Sequence, residues 1–205
     1  MENKEIMKTF PLMEHFYTLQ GEGFNSGKAA YFLRIGGCDV GCVWCDVKES
    51  WDASKHPQIS VQQMLDWVKA AGAKNVVVTG GEPAMVDCTP ITDALHAIGV
   101  SVWIETSGCY PIRGDFDWIC ISPKKFKKPL ESELAKADEL KIIVNHKSDL
   151  EWAQEFLPLV PKNCHLFLQP EWEKSEKMNP LIRSFIENNP QWRLSLQTHK
   201  YLNIP

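Results

Sequence analysis

Ala30-Tyr31-Phe32-Leu33-Arg34-Ile35 runs straight into Gly36-Gly37-Cys38-Asp39-Val40-Gly41-Cys42-Val43-Trp44-Cys45. The first six residues are bulky, largely apolar and rich in strand formers, so they read as a strand. The glycine pair ends it, and the loop that follows carries three cysteines at C-x3-C-x2-C spacing. Three soft ligands within eight residues make a metal-binding set. A structural zinc site takes four protein ligands. A 4Fe-4S cluster held by three thiolates instead leaves one iron open to another ligand. That open iron is the reading adopted. Its rival, a zinc site completed by His15 or Cys88, lacks the two C-x2-C halves usual for closed zinc sites.

Outward from this loop the chain repeats one pattern. Met13 to Tyr17 reads as a short strand, broken by the loop Leu19-Gln20-Gly21-Glu22-Gly23. Beyond the cysteines, Ser60 is an N-cap with Gln63 three residues on, and predicts a helix to about Ala71 with Gly72 near its end. Asn75 to Thr79 is an apolar strand that stops at Gly80-Gly81-Glu82-Pro83. Further helices are expected over 89–98 and 148–157, with a last one starting at Asn179-Pro180, proline at its first position. Further strands are expected over Ser101–Thr106, Trp118–Ser122, Leu140–Val144, His165–Gln169 and Trp192–Gln197. Strands alternating with helices imply right-handed βαβ units and a parallel sheet. A closed eight-unit barrel needs ~250 residues. The 205 residues here therefore predict a single α/β domain, an open, partial parallel barrel of about six strands, with a doubly wound sheet as the alternative. Polar residues gather where these strands end: Arg34, Thr79, Glu105, Ser122 with Lys124, and Gln169. The C-terminal rim of a parallel sheet is where sites are built, so the five strand ends predict one site beside the cysteines.

Composition narrows the class. The net charge of −4 gives no electrostatic footprint for nucleic acid. No apolar run approaches the ~20 residues of a membrane span, and Met1 to Glu5 lacks the apolar core of a secretory signal. A cytoplasmic protein is expected, in which seven cysteines serve as metal ligands or buried thiols rather than disulfides. Cys88, Cys109, Cys120 and Cys164 stand singly, and the tryptophans other than Trp44 read as core or interface packing.

The three cysteines, with Trp44 before the last, resemble the radical S-adenosylmethionine superfamily, and Gly80-Gly81-Glu82-Pro83 resembles its second motif. Within the superfamily the chain is similar nearly throughout to the 7-carboxy-7-deazaguanine synthases. The matching stretches are Leu19-Gln20-Gly21-Glu22-Gly23, Phe32-x-Arg34, Trp44-Cys45-Asp46, Val78 to Pro83, Glu105-Thr106-Ser107-Gly108, Ser122-Pro123-Lys124 and Gln197-Thr198-His199-Lys200.

The resemblance implies a 4Fe-4S cluster on Cys38, Cys42 and Cys45. S-adenosylmethionine would occupy the open iron, and its cleavage would yield a 5′-deoxyadenosyl radical. That radical would draw a hydrogen from 6-carboxy-5,6,7,8-tetrahydropterin, whose ring contracts with loss of ammonia. It implies Trp44, Gly81, Ser122, Lys124 and Gln169 for the cofactor, and Leu19, Gln20, Gly21, Glu22, Arg34, Thr79 and the terminal Pro205 for the substrate, so that an N-terminal loop and a C-terminal tail close the site. An arginine fork suits a carboxylate, and Gln and Glu suit an amide and amino edge. Glu82 reads as a residue that fixes its loop. The resemblance also implies a homodimer, a flavodoxin- or ferredoxin-like reductant and Mg²⁺. The family's Mg²⁺-ligating threonine, however, is Val47 here, which offers no oxygen. Two other functions compete. A glycyl-radical activase would share the cluster but act on a protein partner through an uncharged channel. An electron-transfer module would want a fourth cysteine close to the first three.

Overall fold

The strand that leads into the cysteines heads a run of parallel strands. A computed structural model describes residues 5–205; the stretch read against a secretory signal lies, from Met1 to Lys4, outside the described residues. The elements are β1 (Thr9–Leu19), β2 (Ala29–Ile35), β3 (Gln58–Ser60), α1 (Val61–Ala71), β4 (Asn75–Gly80), α2 (Thr89–His96), β5 (Ser101–Thr106), β6 (Trp118–Ile121), α3 (Glu131–Leu134), β7 (Glu139–Val144), α4 (Ser148–Gln154), β8 (His165–Pro170), α5 (Ser175–Asn188), β9 (Trp192–Leu194) and α6 (Thr198–Leu202). They form one nine-stranded sheet in the order β3-β1-β2-β4-β5-β6-β7-β8-β9. From β2 to β9 every neighbouring pair is parallel, and only β1 runs antiparallel, to β2 and β3. No pairing joins β9 back to β3, so the barrel is open.

Period-2 alternation sorts each strand into two faces. Leu33, Ile35, Val76, Val78 and Val102 pack outward under α1 and α2. Leu140, Ile142, Val144, Leu166 and Leu168 do the same in a second outer core with Met178 and Ile182 of α5. The inner face starts with a layer of Ala30, Val77 and Trp103, flanked by Phe32 and Trp118. Two residues further along the same strands, on the same face, stand Arg34 above Phe32, Thr79 above Val77, Glu105 above Trp103, Lys141 above Glu139 and Gln169 above Phe167. A polar layer thus sits on an aromatic one.

Local signals account for most boundaries. Ser60 Oγ accepts from the Gln63 amide at 3.2 Å, and α1 ends at Gly72 with φ +62, a left-handed geometry that glycine adopts without a Cβ penalty. Other boundaries depart from the sequence reading. β1 is much longer than Met13–Tyr17, because pairing with β2 over seven partner positions carries it on to Leu19. The crossover from β6 to β7 contains a short helix, α3, that the sequence reading does not include. α5 starts at Ser175, behind a 3-10 turn over Trp172–Lys174, and holds Pro180 inside. Proline there removes one bond, to the carbonyl of Glu176, while the helix continues to bury Met178 and Ile182. The segment read as a strand to Gln197 stops at Leu194 and gives way to α6. Of the tryptophans read as packing, Trp103 and Trp192 are buried, whereas Trp51 and Trp172 face the cavity described next.

Candidate active site

A cavity of about 570 Å³ opens at the C-terminal rim of the barrel. Its wall includes every residue marked above for cofactor or substrate: Leu19, Gln20, Gly21, Glu22, Arg34, Cys38, Cys42, Trp44, Cys45, Thr79, Gly81, Ser122, Lys124, Gln169 and Pro205, with Val47 beside them. They come from the two ends of the chain and from five strand ends, and the inward face of the sheet brings them together.

The cysteine loop is the first wall. Cys38, Cys42 and Cys45 are free and share a small packed cluster with Val40, Trp44, Cys109 and Tyr110. Among the described residues no three His, Cys, Asp or Glu side chains converge as ligands of a single ion. A cubane cluster asks for something else, since each thiolate takes a different iron. Burial pushes the Cys42 thiol up to about 11 and Cys38 upward as well. Such thiols deprotonate when a metal cation supplies the compensating charge. Three thiols around one cavity wall therefore fit a cluster, and the zinc alternative finds no fourth ligand. His15 stacks on Trp67 at 3.7 Å, and Cys88 lies in the outer core. Cys109, remote in sequence, packs against the loop and accepts from Ser107 Oγ at 3.0 Å, but it is not part of the cavity wall.

The Gly80-Gly81 turn locks this loop. Gly81 N donates to Ile35 O at 3.0 Å and Glu82 N to Gly37 O at 2.9 Å. A Cβ on Gly81 would lie 2.5 Å from Gly37 O and 2.7 Å from the Cys38 Cβ. Glycine is therefore required for packing onto the cysteine loop itself, a reason independent of any cofactor. Glu82, 2% exposed, turns inward. Its carboxylate accepts from the amides of Ala84 (3.0 Å) and Ser107 (2.8 Å) and from the hydroxyls of Thr106 and Ser107. It thereby ties β4 to β5 just behind the cysteines. Glu82→Ala strands these buried donors, and hydrogen bonds to charged groups contribute ~1.5–3 kcal/mol each. The expected cost is about 3 kcal/mol or more, read as a lower denaturation midpoint at unchanged slope.

The remaining cofactor candidates line the same cavity. Lys124 Nζ donates to Ser122 O and Oγ, each at 2.6 Å, and lies 5.7 Å from the centre of the Trp44 ring. Burial pulls the Lys124 ammonium below its ordinary value. Gln169 is buried and accepts from Ser195 Oγ at 2.7 Å.

The polar groups marked for substrate are already committed to one another. Arg34 Nε donates to Glu14 Oε1 at 2.6 Å, so one edge of its fork is engaged and the terminal nitrogens remain. Gln20 Oε1 accepts from the Glu22 amide at 3.1 Å, while Nε2 donates to Glu105 at 3.2 Å. Glu22 accepts from Lys141 at 2.7 Å and from Gln197 at 2.9 Å. Burial would raise the Glu22 carboxyl, but the Lys141 charge wins and holds it at about 2. The loop is docked on the C-terminal segment. Thr198 N donates to Gly21 O at 2.9 Å, and His199 packs so close that a Cβ on Gly21 would lie 2.2 Å from its Nδ1. Burial lowers the His199 imidazole, overcoming the raising influence of Glu22. Pro205 is exposed at the cavity edge.

Three cavity residues escaped the sequence reading as site groups: Lys141, Glu105 as an ion-pair partner, and His199. Lys141 carried a signal, since a charge in the middle of an apolar, doubly covered strand is rare unless paired. Val47 stands on the cavity wall where the family's Mg²⁺-ligating threonine is expected. Val47 brings no oxygen, and the neighbouring Asp46 is engaged by Lys200 Nζ at 3.1 Å. Mg²⁺ takes near-octahedral oxygen ligands and keeps several waters, so Asp46 is the side chain beside Val47 that could contribute one.

Residues 33–144 match the family described as the radical SAM superfamily. The chain is 55% identical over 195 residues to the 7-carboxy-7-deazaguanine synthase of Flavobacterium psychrophilum, covering 95% of this chain and 92% of that protein. The chain belongs to the 7-carboxy-7-deazaguanine synthase family. The enzyme of that name from Synechocystis is 44% identical, with 96% and 94% covered, and that of Escherichia coli 37%, with 95% and 99% covered. The crystal structure of QueE from Escherichia coli superposes with a TM-score of 0.85 at 35% identity, covering 97% of this chain and 99% of that one. This family is one of radical SAM enzymes, which use a 4Fe-4S cluster and S-adenosylmethionine, and the open parallel-rich sheet is its fold. No helix among the described residues is long and apolar enough to cross a membrane.

Proposed function

We infer that this chain converts 6-carboxy-5,6,7,8-tetrahydropterin to 7-carboxy-7-deazaguanine with loss of ammonia. The observation that carries this reading is the single cavity in which a three-thiol loop faces a Gln20, Glu22 and Arg34 cluster. When bound to Cys38, Cys42 and Cys45, the cluster supplies the electron that cleaves S-adenosylmethionine to a hydrogen-abstracting radical. The chain's own residues bind and orient. Trp44, Gly81, Ser122, Lys124 and Gln169 hold the cofactor. The terminal nitrogens of Arg34, free of Glu14, take the substrate carboxylate, and a guanidinium fork matches its two oxygens. Gln20 and Glu22 take the amide and amino edge, with Thr79 at the ring and the Pro205 carboxylate at its rim. Leu19 and Gly21 shape the loop that carries them. The reacting carbon would thus be set between substrate and cofactor clamps, and such positioning removes much of the entropic barrier.

A polar acid substrate also separates this reading from a glycyl-radical activase, whose channel to a protein partner would not be lined by Lys141, Lys124, Glu22 and Glu105. We propose further that the 205 residues act as one domain, closed over the substrate by the N-terminal loop and the C-terminal tail that dock on each other. The working form would be a homodimer in the cytoplasm, reduced by a flavodoxin- or ferredoxin-like protein. Seven free cysteines support a reducing compartment. The decisive test is anaerobic reconstitution with iron and sulfide, then incubation with dithionite, S-adenosylmethionine and the carboxytetrahydropterin. 7-Carboxy-7-deazaguanine is the expected product, and its absence with an intact cluster overturns the reading.

A further inference from the structure

Lys141 is a buried charge on the cavity wall to which the reaction above gives no task. Its side chain is 4% exposed, and its ammonium reaches two carboxylates on different elements, Glu22 Oε2 at 2.7 Å and Glu105 Oε2 at 2.8 Å. The second oxygen of each is held by an amide, Glu22 Oε1 by Gln197 at 2.9 Å and Glu105 Oε1 by Gln20 at 3.2 Å. Gln20 in turn accepts from the Glu22 amide. The ring of contacts joins the loop after β1, the end of β5, the middle of β7 and the segment before α6. A carboxylate offers about four lone-pair sites, so each of these acids keeps acceptor capacity after its two internal bonds. The groups it faces are all cavity or inner-face residues.

We propose that Lys141 is a positioning residue for the substrate, which holds Glu22 and Glu105 side by side as hydrogen-bond acceptors for the donor edge of an aminopyrimidinone ring. Desolvation raises the Glu22 carboxyl and Lys141 offsets it; without that cation Glu22 would take up a proton, and a protonated acid presents a donor where the ligand also presents one. Around Lys141 stand Glu22 from the loop, Glu105 from β5, Glu139 from its own strand, Cys120 from β6, Lys124 beyond β6 and His199 from α6. Burial would lower Lys141, but the surrounding negative charges raise it well above its ordinary value. Cys120 is itself pushed up by burial and so is neutral near pH 7, which leaves the acids as the effective partners. The ammonium is therefore held charged near neutral pH, and Glu22 stays ionised down to about 2.

This inference rests on the proposed substrate, and its test separates the two. Equilibrium dialysis of the reconstituted, S-adenosylmethionine-loaded protein against 6-carboxypterin, the aromatic form of the substrate, is run across neutral to alkaline pH. Wild-type protein that binds no carboxypterin counts against the substrate reading, not against Lys141. For Lys141→Met, relative to wild type in the same buffer, a loss of about 10-fold or more is expected near pH 7 from the broken recognition pair. The loss should shrink as pH rises, because alkali re-ionises Glu22 once its cation is gone. Lys141→Arg, which keeps the charge, should recover most of the affinity. If Lys141→Met does not fold, Glu105→Gln is compared with the charge-balanced Glu105→Gln/Lys141→Gln, and the lysine change must again add a loss that fades with pH. Unchanged affinity, or a loss equal at every pH, overturns the proposal.

Discussion

Replacing Cys42 with alanine is expected to give a folded chain that neither holds iron nor turns over. Cys42 sits in a small satellite of the core, with Val40 and Cys109 as its buried neighbours, so deletion of one sulfur costs stability only about 1 kcal/mol. The functional loss is of another order. With Cys38 and Cys45 alone, two irons keep a protein thiolate, and the cluster is no longer held from three sides. Cys109 cannot take over from its present position, because it lies behind the loop and outside the cavity wall. Iron and acid-labile sulfide should fall to background after anaerobic reconstitution, and no 7-carboxy-7-deazaguanine should be detected by chromatography. The circular dichroism spectrum should stay that of the parent. Retained turnover in this variant would remove the premise on which the site is built.

Gly81→Ala should be nearly as severe, by a different route. The added methyl has no free volume: it meets the Gly37 carbonyl oxygen at 2.5 Å and the Cys38 Cβ at 2.7 Å. The loops are bonded on either side of the contact, Gly81 to Ile35 and Glu82 to Gly37, and Glu82 is anchored to β5. The turn cannot retreat, so the strain passes to Cys38 and shifts it by roughly 1 Å. A misplacement of that size costs on the order of 10²-fold in rate. The variant should still take up iron, because all three thiols are present, but kcat/KM should fall about 10²-fold and cofactor affinity should weaken. Wild-type kinetics with wild-type affinity for S-adenosylmethionine would show that the two loops have slack the structure does not have.

How much of this was legible in sequence depends on the range of the interactions concerned. The strands Asn75–Thr79, Ser101–Thr106 and Leu140–Val144 could be read because parallel strands covered on both faces are continuous apolar runs. The cap at Ser60 is local chemistry and matched the structure. Pro180 reads as a helix start, whereas the burial of Met178 and Ile182 carries α5 across it. β9 ends short of Gln197 because, after the Ser195 amide bonds Leu168 O, the chain turns away to dock Thr198 on Gly21, a contact between residues far apart in sequence. An electron-transfer module wants a fourth cysteine near the first three in sequence, whereas folding brings Cys109 against the loop from much further along the chain. In sequence Arg34 reads as a fork for a carboxylate, and Glu14 occupies one of its nitrogens only because β1 lies antiparallel beside β2.

By itself, the sequence determined the chemistry that covalent spacing controls. Three thiols within one loop, a double glycine at a strand end and alternating elements are statements about neighbours in the chain, and they suffice for the cofactor class and the family. Only the tertiary structure decided which polar groups answer each other. Period-2 alternation tells that Glu139 and Lys141 share a face, but not that this face closes on Glu22 and Glu105. That meeting depends on parallel register from β5 through β6 to β7, on the inward curvature of an open barrel, and on a loop pinned by the far end of the chain. Buried charge must be paired, and its pair can be found only once the sheet is assembled.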